Sequence, residues 1–158
     1  IMVTRKIFIL ITIMLSVIGC SNNDDELKVE TSIWYIARNT MSGDNKITAT
    51  FYFFKDGDYD PTTFQYQLNT QSLWESAEII TVSGEKVKSF FIDIVLKGDK
   101  GMGVYNCSPG NYYVITSIGS GINMQWKAKR ITVSENNTSN LEVIFKDENK
   151  TGYTEWDK

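Results

Sequence analysis

The chain has 158 residues, with 16 Lys and Arg against 19 Asp and Glu, no histidine, and a formal net charge of −3 at pH 7. With no basic excess to neutralise phosphates, nucleic acid is not expected as a partner. The missing histidine removes Ser-His-Asp and Cys-His nucleophile arrangements, histidine metal sites and the commonest general base.

The first predicted element is a signal over residues 1–19, starting at Met2. Arg5 and Lys6 precede an uncharged run, Ile7 to Ile18, in which only Thr12 and Ser16 carry a hydroxyl. As a helix this run would rise about 18 Å, well short of a hydrocarbon core of roughly 30 Å. A basic start, a short apolar run and a small residue at its end describe a secretory signal rather than a membrane span. Val17-Ile18-Gly19-Cys20 then resembles the bacterial lipobox. That resemblance implies a diacylglycerol on the Cys20 sulfur and cleavage just before it, with the thiolate as the nucleophile. Residues 20–27 are expected to form an acidic tether. Within it, Asp24-Asp25-Glu26 resembles the export signal of Bacteroidetes-type surface lipoproteins, and without that role it is a solvated spacer. The implied location is the outer membrane, lipid-anchored and facing outward. Without Arg5 and Lys6, 14 basic residues face 19 acidic ones, so the acyl chains rather than charge would hold the membrane.

Residues 28–146 are predicted to form one all-β domain of about seven to nine strands, an antiparallel Ig-like or transthyretin-like β-sandwich. The strand signals are Thr31–Ala37, Lys46–Phe54, Thr62–Leu68, Ala77–Val82, Lys88–Leu96, Tyr112–Ile118, Met124–Val133 and Asn140–Phe145. Phe64, Tyr66 and Leu68 alternate on one face, as a half-buried strand requires. Trp34, sharing a face with Ile36, is expected in the core, and so is Trp126, sharing a face with Met124 and Ala128. A long loop is expected around Leu73-Trp74-Glu75-Ser76, and residues 147–158 read as a polar tail from which Tyr153 and Trp156 could pack back. The stretch Ser108 to Phe145 combines a Pro-Gly turn, a Tyr-bearing strand, a further strand, a polar turn and a Leu-x-Val-x-Phe strand. It is similar to the close of transthyretin-like and carboxypeptidase-regulatory-like domains. The resemblance implies a sandwich mostly used without catalysis.

Candidate sites are few. Asp56, Asp58 and Asp60 stand at alternate positions, a spacing that can converge carboxylates on calcium. The EF-hand pattern then fails at Pro61 and Gln67, so a hairpin turn with solvated acids is the other reading. Trp74 and Tyr59 sit in polar, turn-like contexts where an aromatic ring could stack on a sugar face. Cys107 is expected to be a half-buried small apolar residue. No acid pair has the spacing that selects it for hydrolysis. The sequence therefore points to a non-catalytic interaction module without a cofactor, partnered by a surface protein, or alternatively to a small glycan-binding lipoprotein.

Overall fold

The structure is a computed structural model that describes residues 30–40, 45–69, 74–98 and 101–156; the side chains of residues 67–69, 74 and 75 lie outside that description. Among the described residues there are eleven strands, one short 3-10 turn (Gly121–Asn123) and no α-helix. The strands are β1 (Ser32–Arg38), β2 (Ala49–Lys55), β3 (Tyr59–Asn69), β4 (Trp74–Thr81), β5 (Lys86–Lys88), β6 (Phe91–Val95), β7 (Gly103–Asn106), β8 (Gly110–Ile118), β9 (Gln125–Val133), β10 (Thr138–Ile144) and β11 (Gly152–Tyr153). They form a front sheet, β10-β1-β7, a central sheet, β11-β9-β8-β2-β6, and a back sheet, β3-β4-β5. Pairing is antiparallel except for β1 with β10 and β9 with β11.

The sandwich has a third layer because the central sheet is apolar on both faces. Successive side chains of a strand point to opposite faces. In Phe51-Tyr52-Phe53-Phe54 of β2, Phe51 and Phe53 enter the core shared with the front sheet, whereas Tyr52 and Phe54 enter the core shared with the back sheet. All four are buried. A strand covered on both sides reads as a continuous apolar run, which explains this stretch.

In the first core, Ile33, Tyr35 and Ala37 of β1 and Leu141 and Val143 of β10 oppose Phe51, Phe53, Val95 and Val114. The Tyr35 ring lies 4.6 Å from Phe51 and 5.3 Å from Phe53. Its hydroxyl donates to the Asp93 carboxylate, giving that acid an inward partner on β6. Gly103 pairs with Tyr35 across the front sheet, and a Cβ there would sit 2.0 Å from the ring, so only glycine fits. In the second core, Phe64, Ala77 and Ile79 of the back sheet pack on Tyr52, Phe54 and Ile115. Trp126 closes its rim, 5.7 Å from Phe64, with its indole N–H donating to the Pro61 carbonyl at 2.7 Å.

Several expectations change. Trp34 is not in the core: Ile33, Tyr35 and Ala37 take the inner face of β1, leaving Trp34 on the outer face, 42% exposed. Trp126 is half-buried, and the face opposite it is the deeper one, with Gln125 at 2% and Lys127 at 4% exposure. The predicted strand Lys88–Leu96 is two strands, because the chain crosses there from the back sheet to the central sheet. Ser89 N–H still bonds Ala77 of the back sheet, and Phe90 N–H already bonds Phe53 of the central one. Trp74 opens β4 opposite Asn69, so it lies in a strand and not in the loop expected around it; the rest of that expected loop, residues 70–73, lies outside the described residues. The C-terminal segment is more than a tail: Gly152 and Tyr153 pair with Gln125 and Trp126 of β9, and Trp156 packs against the first core. Cys107 is half-buried against that core.

Candidate functional site

The outer face of the front sheet carries an exposed aromatic ring, Trp34, on its central strand. β1 lies between β10 and β7, and its inner side chains are consumed by the first core. Alternation therefore turns Trp34 outward. The register sets Asn140 of β10 on one side of Trp34 and Val104 of β7 on the other. Val104 is 48% exposed, and Met102, at the entry to β7, is 38% exposed. Polar groups border them. Arg38 Nε pairs with Glu142 Oε1 at 2.9 Å, and Asn106 Nδ2 donates to Glu30 Oε2 at 2.9 Å. An aromatic centre with an aliphatic flank and a polar rim is the composition of a recognition surface. The indole offers a flat apolar face and one N–H donor.

The aspartates after β2 have a different use. Asp56 Oδ1 pairs with Arg130 Nε at 2.8 Å, and Asp58 Oδ1 meets Arg130 Nη2 at 3.4 Å. The same Nη2 donates to the Gly57 carbonyl at 2.7 Å. A guanidinium delivered by β9 thus occupies the loop that the spacing had suggested for calcium. Asp60 Oδ1 accepts from the backbone N–H and the hydroxyl of Thr62, at 3.0 and 2.6 Å, which holds its carboxyl below the usual range. No group of three or more Cys, Asp or Glu placed to hold a metal occurs among the described residues.

Tyr59 roofs the second core. Its ring lies 4.9 Å from Tyr113 and 6.0 Å from Phe54, and its hydroxyl donates to the Lys55 carbonyl at 2.9 Å. Burial, first, and the Asp56 charge, second, raise its pKa. The Trp74 side chain, Cys20, Asp24, Asp25 and Glu26 lie outside the described residues. Burial pushes the Cys107 thiol up, against an opposing hydrogen bond from Tyr112, so it holds little thiolate at neutral pH.

Sequence reasoning missed Trp34 because both faces of Ser32–Arg38 are apolar: Trp34 and Ile36 on one, Ile33, Tyr35 and Ala37 on the other. Alternation alone cannot choose between such faces. The Arg130 contact carries no local signal, since 72 positions separate Arg130 from Asp58. Comparison with protein-family models, with curated proteins and with solved structures finds no match to this chain.

Proposed function

We propose that this chain is a non-catalytic interaction module, held on the outer face of the outer membrane by a lipid on Cys20, that docks a partner protein of a surface complex through the outer face of its front sheet. The observation that carries the reading is Trp34, a large ring left 42% exposed at the centre of a three-stranded sheet. Burying such a ring against a partner is favourable by roughly 1.5–3 kcal/mol, which is why aromatics dominate interface energetics. Support for the anchor and the address comes from the sequence alone: Arg5-Lys6, the apolar run, Gly19-Cys20 and Asp24-Asp25-Glu26. Support for the transthyretin-like resemblance is the succession of β8, β9 and β10 through Ser108–Phe145.

The test is quantitative co-purification after cross-linking on intact cells, comparing wild type, Trp34→Ala and, as a control on a distant turn, Ser83→Ala. The reading expects a stoichiometric partner that is lost only with Trp34→Ala. Equal recovery from all three chains would remove this face. A glycan is the second reading, favoured by the amide of Asn140 next to the ring, as stacking on a pyranose needs a hydrogen-bonding neighbour. Binding of the purified chain to a polysaccharide, abolished by Trp34→Ala in the absence of any protein partner, would select it.

A further inference from the structure

The end of the sandwich at which β1, β6 and β8 finish and β2 begins holds a cleft of about 490 Å3. The main chain around it is tied down. Ile47 N–H donates to the Ala37 carbonyl at 3.0 Å, Asn39 N–H to the Asn45 carbonyl at 3.1 Å, and Lys97 N–H to the Thr48 hydroxyl at 3.1 Å. On the far side Gly119 takes a φ of +73°, and a Cβ there would sit 2.6 Å from the Asn123 carbonyl oxygen, so glycine lets the 3-10 turn close on the cleft. Loops held on a fixed frame are the usual carriers of binding residues.

Lys97 and Glu148 line this cleft together. Among the described residues, the Lys97 ammonium and the Glu148 carboxylate make no ion pair and no hydrogen bond, with each other or with any other group. Opposite charges that border one space without closing on each other leave room between them for a molecule that carries both. Ile118, 8% exposed, and half-buried Ile47 supply an apolar wall. Asn39 stands beside them, half-buried, and its Oδ1 is buried without a donor, which in native proteins calls for an explanation.

We propose that this cleft binds a small apolar zwitterion, of the class of free amino acids and dipeptides. Lys97 meets the ligand carboxylate and Glu148 its ammonium, each through charge-assisted hydrogen bonds. A turn of the Asn39 amide about its last side-chain bond hands Oδ1 an ammonium donor. The apolar side chain of the ligand lies on Ile47 and Ile118, where it leaves water. The volume falls within the roughly 300–1,000 Å3 of small-molecule sites. The cleft shares no residue with the Trp34 face and stands apart from the docking role.

The test is thermal unfolding of the purified chain at constant ionic strength, with leucine and leucyl-leucine as probes. Leucinamide, which lacks the carboxylate, N-acetyl-leucine, which lacks the ammonium, and glycine, which lacks the apolar side chain, are run beside them. Binding to the native state alone raises the melting temperature with ligand concentration. The leucine zwitterions should give a saturable rise of a few degrees, and each of the three controls a clearly smaller one. Lys97→Gln and Glu148→Gln, both at exposed positions, should leave the ligand-free melting temperature unchanged and each raise the concentration midpoint about threefold to fivefold. No saturable rise with either leucine or leucyl-leucine, or a midpoint that either variant leaves in place, would overturn the site. A rise with leucinamide or N-acetyl-leucine equal to that with the zwitterions would overturn the two-charge ligand, and an equal rise with glycine would overturn the apolar contact.

Discussion

Strands β1 and β2 face each other across the first core, and both are runs of aromatic and aliphatic residues, Ile-Trp-Tyr-Ile-Ala in one and Phe-Tyr-Phe-Phe in the other. In β2 every one of these rings is buried, whereas in β1 Trp34 is partly exposed between buried Ile33 and Tyr35. Composition does not separate the two cases; position does. β2 lies inside the five-stranded sheet, with a sheet packed on each side, while β1 belongs to an outer layer that the described residues cover on one side only. Two adjacent apolar strands therefore have different destinies: one ties three layers together, and the other keeps a face free.

The comparison breaks first if the cores are not both load-carrying. Phe53 contacts the rings of Tyr35, Phe91 and Tyr105, and Phe54 lies in the second core. Phe53→Ala and Phe54→Ala should each cost about 3–5 kcal/mol in a urea titration. A silent Phe54→Ala would mean that the back sheet is not packed on the central one.

A pH titration sharpens the same contrast. Tyr113, against the second core, has its pKa pushed up from 10.0 to about 12, chiefly by burial and next by Tyr153. A raised tyrosine pKa means that the folded state holds its proton more tightly than the unfolded one. Its contribution is therefore fully present below pH 10.0 and is lost as pH rises through about 12. Burial, followed by the Asp93 contact, raises Tyr35 as well, so the first core adds to the loss. The urea midpoint of the wild type should fall across this alkaline window, and Tyr113→Phe should flatten part of the fall. Parallel profiles for the two chains would place Tyr113 in solvent.

The smaller effect belongs to the loop after β2. Arg130→Ala removes the partner of Asp56 and Asp58, both on a partly exposed surface, and should cost about 0.2–1 kcal/mol with no compensating response to calcium. A calcium-dependent rise in melting temperature in the wild type would return these acids to a metal role.

The all-β class and most strands were legible in the sequence, because alternation such as Phe64-x-Tyr66-x-Leu68 and turns such as Asp56-Gly57 are local signals. The third layer was not legible in Phe51-Tyr52-Phe53-Phe54 alone, since β1 carries a similar unbroken apolar run in an outer sheet. Other features were not local. The break at Ser89-Phe90 depends on which sheets the chain joins, and β11 exists because β9 offers it an edge. Buried Lys127 reads as a solvent-facing residue until the segment carrying Glu155 is laid over it. The exposure of Trp34 follows from the narrow front sheet, over which the described residues lay no further layer, a property of topology rather than of any stretch of residues.

The most direct measurement is the stability of Trp34→Ala beside that of Tyr35→Ala, its neighbour on the opposite face, by urea titration with partner co-purification on the same samples. Trp34→Ala should stay within about 0.5 kcal/mol of wild type and lose the partner, while Tyr35→Ala should cost about 3–5 kcal/mol. A Trp34→Ala chain as destabilised as Tyr35→Ala would place the indole in a core and leave the front sheet without a free face.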